Sequence, residues 1–187
     1  MRVYRLAVGI TVGLMLTVAT VWAADGPKEK TIRSEFACSS VPSTFDNNGD
    51  GITATTHQCI GKGTGGPFTS QGVSELLAPL PAPVTCPQGT IEYPYEAIFD
   101  VATNSNTFDQ LIAGDVQPPG AFCLNPNGLT FTFDVTYFFF RGTGKLDGAQ
   151  GGSTIHSQGT GSIVACDPAG LCVSNYSGTS ETTLIFP

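Results

Sequence analysis

Basic residues are scarce. The 187-residue chain has 8 Lys and Arg against 15 Asp and Glu, a net charge of −7. So few cations offer no basic patch to phosphates, which argues against nucleic acid as a partner and against docking on anionic membranes. Histidine is limited to His57 and His156, and no CxxC pair occurs, which leaves little from which to build a zinc site. Beyond the N-terminus no segment holds an apolar period of 3.6 residues, so a helical bundle is excluded. No segment there could span a bilayer as a helix, so no membrane span is expected in the mature chain. There is no G-x-S-x-G elbow, so nothing selects one serine for a Ser–His–Asp arrangement. The Gly61–Gly66 run contains Lys62 but lacks the G-x-x-x-x-G-K-[ST] order and a following helix. It reads as a flexible hairpin rather than a phosphate loop. No tandem repeat suggests a propeller or solenoid.

What the chain does contain is turn formers, β-branched residues and cysteine: 23 Gly, 13 Pro and 6 Cys. Its N-terminus has the form of a secretory signal. Arg2 and Arg5 precede an uncharged apolar stretch, Leu6–Val21, and Val21-Trp22-Ala23 supplies small residues where a signal peptidase reads. Residues 1–23 are therefore expected to be removed, the alternative being an uncleaved membrane anchor. Loss of Arg2 and Arg5 leaves six basic residues against 15 acidic, a net charge of −9. The mature protein is expected to be secreted or periplasmic, a setting in which an even number of cysteines forms disulfides. Cys166 and Cys172 bracket a turn-like loop and are expected to pair. Cys38–Cys59 and Cys86–Cys123 are the simplest remainder of the 15 possible pairings.

Residues 24–30 read as a flexible leader, and residues 31–187 as a single domain. Strand-like segments follow at Thr31–Ala37, Ile52–Ile60, Phe68–Leu77, Thr90–Ala102, Thr107–Val116, Ala121–Leu124, Leu129–Phe140, Ser153–Ala165 and Cys172–Phe186. A short helix at Ser74–Leu77 is an alternative. Pro94 calls for an edge or a bulge. The proline-rich Ala78–Pro87 reads as an extended connector within the domain, and Pro118-Pro119-Gly120 as a turn. In LTFTFDVTYFFF, Leu129, Phe131, Phe133, Val135, Tyr137 and Phe139 fall on one face; Thr130, Thr132, Asp134 and Thr136 fall on the other. Eight or nine short strands with turns between them fit an all-β antiparallel barrel or sandwich. One apolar and one polar face on the long strand favours the barrel.

Gly142-Thr143-Gly144-Lys145-Leu146-Asp147-Gly148-Ala149-Gln150-Gly151 follows that strand. This run resembles the GTG-x-(aromatic or aliphatic)-x-GA-x-G signature of allene oxide cyclase barrel-like and dirigent-like secreted proteins. Arg141 stands where many relatives carry another glycine. The resemblance implies an eight-stranded barrel that often self-associates, with these glycines at a hairpin turn and flanking bulges. It carries no catalytic residue onto this chain.

Several residues are candidates for a site. Asp46, Asn48, Asp50 and Ile52 match the opening of a calcium loop, D-x-[DN]-x-[DN]-G. The twelfth position, a glutamate in the full motif, is His57, and the bland reading is a tight turn. Glu92 with Glu96, or Asp100 with Asp134, offer carboxylates for acid–base work, without a spacing that selects a pair. Asp134 and Arg141 would meet a ligand if the polar face of the long strand lined the barrel, and would be solvated if it faced water. Asn175-Tyr176-Ser177 is a glycosylation sequon. The Gly/Thr run from Gly142 to Gly161 reads as a turn device.

The expected function is a non-catalytic binding or structural module, in which Phe131, Phe133 and Tyr137 line an interior suited to a small hydrophobic ligand. The alternatives are a barrel enzyme or dirigent-like protein acting on an apolar substrate, and a homo-oligomeric envelope component. No cofactor is required by this reading, calcium being the one candidate.

Overall fold

The computed structural model describes residues 26–46, 49, 51, 53–149, 152–166 and 172–187. The proposed signal segment lies outside them. Eight strands follow in chain order: β1 (Lys28–Pro42), β2 (Thr55–Gly63), β3 (Gly66–Leu76), β4 (Ile91–Asn104), β5 (Gln110–Leu124), β6 (Thr130–Gly142), β7 (Thr154–Cys166) and β8 (Cys172–Phe186). Each pairs antiparallel with the next, and β8 pairs with β1, so the sheet closes into a barrel. Closure satisfies the hydrogen bonds that an edge strand would leave open. The interior side chains come from alternate positions, such as Phe36, Cys38 and Ser40 of β1 and Phe131, Phe133 and Val135 of β6.

The two segments expected at Thr107–Val116 and Ala121–Leu124 are one strand, β5. Pro118-Pro119-Gly120 is not a turn between strands. It is absorbed as an irregularity where the β5–β6 register shifts between Gln117 and Ala121, a place where the missing proline N–H costs the ladder little. Pro94 likewise marks a register break between β4 and β5. No helix forms at Ser74–Leu77; β3 runs through to Leu76. Lys28–Lys30 of the expected leader belong to β1, where Lys28 lies opposite Phe186.

Three disulfides are present, in the expected pairing. Cys38–Cys59 joins directly opposed residues of β1 and β2. Cys166–Cys172 joins the ends of β7 and β8. Cys86–Cys123 ties the proline-rich connector to the outside of β5, with Ala121 packed beneath it. The connector is also held by Glu92. Its carboxylate accepts hydrogen bonds from the backbone N–H groups of Val84 (2.6 Å), Thr85 (2.9 Å) and Cys86 (3.0 Å) and from the Thr85 hydroxyl (2.7 Å). Burial pushes this carboxyl up, but the donors of Cys86, Thr85 and Val84 outweigh it and bring the pKa from 4.5 to about 2.

One end of the barrel is closed by Phe139, Leu146 and Leu184, with Ile32, Leu111 and Phe186 packed against them. Leu146 sits in a short 3-10 turn, Gly144–Leu146, between β6 and β7. Gly144 and Gly148 of this segment have φ of 59° and 86°, the backbone that a tight turn asks of glycine. The Gly/Thr run is only partly a turn, however. Gly159 and Gly161 lie within β7, where the Phe133 and Phe131 rings cover them; a Cβ at Gly161 would sit 2.2 Å from the Phe131 ring. Here glycine makes room for aromatic side chains from the neighbouring strand.

Candidate functional site

The barrel encloses a chamber of about 930 Å³, within the size range of small-molecule sites. Phe131, Phe133 and Tyr137 all line it. Phe131 stacks on Phe122 with ring centroids 4.2 Å apart, and Phe133 meets Tyr176 edge-on at 5.6 Å. Tyr93 and Phe36 extend the same aromatic wall through Phe122 and Phe133. Offset and edge contacts of this kind hold rings in fixed places.

Asp134 and Arg141 are not in the chamber. Asp134 is on the outer face of β6, 68% exposed, and its Oδ1 is 2.8 Å from His156 Nε2 of β7. Arg141 has the parity of the inner face, but Ile112 pairs with Arg141 and Ala113 with Phe139, so Phe140 is an extra residue. This bulge turns both Phe140 and Arg141 outward and returns Gly142 to the interior.

The chamber also carries a group that the strand pattern did not single out. His57 is 5% exposed, and its Nε2 is 2.9 Å from Oδ2 of Asp100. The two residues are not on adjacent strands. His57 of β2 lies opposite Gly72 of β3, and Gly72 lies opposite Asp100 of β4. The imidazole crosses over Gly72, where an added Cβ would stand 2.4 Å from Cε1 and Nε2. Ser40 of β1 flanks His57 on the other side, and its Oγ is 2.7 Å from the Ser174 Oγ of β8. A polar belt therefore runs Ser174–Ser40–His57–Asp100, and all four residues line the chamber. Among the described residues no hydroxyl is hydrogen-bonded to His57, so no Ser–His–Asp triad is assembled. No sequence signal short of the β2–β3–β4 register could have paired His57 with Asp100.

The remaining candidates have other roles or lie outside view. Glu92 is occupied by the connector, and the side chain of Glu96 is outside the described residues. In the calcium-loop motif, Asn48, Asp50 and Ile52 are outside the described residues. The Asp46 carboxylate accepts the backbone N–H of Gly49 (2.6 Å) and of Gly51 (2.9 Å), as in a self-closed turn. No cluster of three or more metal-ligating side chains occurs among the described residues. Asn175 is exposed on the outer face of β8. No described helix is long and apolar enough to cross a membrane.

The fold and its interior thus define a closed eight-stranded barrel with a chamber lined by aromatic rings and by a polar belt. The chain matches no protein-family model and no curated protein sequence.

Proposed function

We propose that this is an exported binding protein that holds a small hydrophobic molecule inside its barrel, without transforming it. The chamber of about 930 Å³ lined by Phe131, Phe133, Tyr137 and Tyr176 carries this reading. An interior filled by its own side chains would serve only stability, whereas one of this size is matched to a drug-sized guest. Three disulfides accord with export. The resemblance to allene oxide cyclase barrel-like and dirigent-like proteins is compatible with the reading and selects no ligand.

Titration of the purified protein with Nile red, followed by its blue-shifted emission, tests the reading. Saturable binding at one site per chain is expected. It should be lost on filling the chamber by Ser157→Phe, a change on the inner face of β7. Unsaturable or absent dye response in the wild type would sink it.

Self-association is a second reading with its own observation. Phe99 (44% exposed), Phe138 (42%) and Phe140 (54%) stand on the outside of β4 and β6, either side of β5. Exposed aromatic patches of this kind mark contact surfaces.

A further inference from the structure

We infer that the chamber selects a guest with an apolar, ring-sized body and one hydrogen-bond donor, a hydroxyl or N–H, which His57 Nδ1 accepts. The inference rests on the binding function proposed above and adds the chemistry of the guest.

An ionised carboxylate can only accept hydrogen bonds, so the Nε2 that meets Asp100 Oδ2 at 2.9 Å bears the hydrogen. In the neutral ring Nδ1 is then a bare acceptor. Among the described residues no protein group is hydrogen-bonded to Nδ1, although His57 is nearly buried and lines the chamber. Gly72 supplies the space that lets the imidazole cross β3 and reach Asp100. β2 and β6 are four strands apart in a barrel of eight and so face each other across the interior. His57 on β2 therefore has Phe131 and Phe133 of β6 across the chamber from it. A guest whose rings stack on β6 presents its far edge to His57. A guest with no donor would leave Nδ1 dry and unpaired, and a buried unpaired acceptor weakens binding. Ser40 and Ser174 answer each other at 2.7 Å and can turn one hydroxyl toward a second polar atom of the guest.

The test compares 2-naphthol with 2-methylnaphthalene, which has nearly the same shape and no donor, at about pH 8, where an ordinary imidazole is neutral. Affinities are read by Nile red displacement from the wild type and from His57→Phe, which keeps a ring and loses both nitrogens. The ratio of the two affinities is expected to move toward 2-methylnaphthalene by about fivefold or more in the variant. Long-range ¹⁵N correlation of the wild-type imidazole provides a reading that does not depend on the variant folding. The Nδ1 resonance should shift when 2-naphthol is added and stay in place with 2-methylnaphthalene. If both probes bind while Nδ1 stays unmoved with either, the donor preference is overturned and the binding function stands. If Nile red binds but His57→Phe leaves the ratio unchanged, the same conclusion follows. If neither probe nor the dye binds, the binding function and this inference fall together.

Discussion

A methyl group at Gly72 would meet the His57 ring at 2.4 Å and the Phe99 carbonyl oxygen at 2.8 Å. The histidine would have to leave Asp100, while the backbone oxygen has nowhere to go. Gly72→Ala is expected to cost about 1–3 kcal/mol in denaturant unfolding and to abolish the naphthol preference. Phe131 and Phe133, by contrast, should keep an apolar probe in place. Glu92 makes a pH-dependent prediction. Its folded pKa lies near 2 instead of 4.5, so its contribution to stability is complete above about pH 4.5 and disappears as pH falls toward 2. Glu92→Gln should therefore cost about 2 kcal/mol at neutral pH. That difference should shrink steadily between pH 4.5 and pH 2. Urea midpoints of the two proteins at pH 7, 4 and 2.5 would show it, and a constant gap would mean that the connector is held by something other than this charge.

Along the elements, alternation was the most readable signal. In β6 the order Phe131, Phe133, Val135, Tyr137 gives the inner face directly, because a strand turned over by one residue would drive Asp134 and three threonines into the chamber. The bulge at Phe140 was not readable, since it depends on how β5 and β6 match lengths across their shared ladder. Pro118-Pro119-Gly120 misled for the same reason: its local turn chemistry yielded to the pairing of Gln117 and Ala121, on either side of it, with β6. Gly159 and Gly161 looked like turn glycines, yet their role is to lie under rings supplied by β6. The site followed this division. Phe131, Phe133 and Tyr137 were legible within one strand, whereas Phe36, Tyr93, Phe122 and Tyr176 join them from four other strands, and His57 and Asp100 are 43 positions apart and meet only through the register of β3. The outward phenylalanines of β6 bear on assembly. Phe138→Ser combined with Phe140→Ser should leave the circular dichroism of the strands unchanged. If the second reading holds, the double variant should lower the solution mass measured by light scattering; a monomeric wild type would rule that reading out.

At the scale of the whole molecule, the order of pairing is the order of the chain. Seven contacts between strands are hairpins between consecutive segments, and one, β1 with β8, brings Lys28 to Phe186. Hairpins close short loops and can form early; the last pairing must bring distant segments together and is slowed by the entropy of doing so. Cys38–Cys59 and Cys166–Cys172 each fasten a seam strand to its sequence neighbour, and neither crosses the seam itself. With the disulfides left oxidised, the two flanking hairpins should persist in denaturant while the seam opens. Leu184→Ala, at a fully buried position of β8, should accordingly cost about 2–5 kcal/mol, nearly all of it as faster unfolding with little change in the folding rate. The seam is thus the cylinder's zip: the last part to fasten, and the place from which it comes undone.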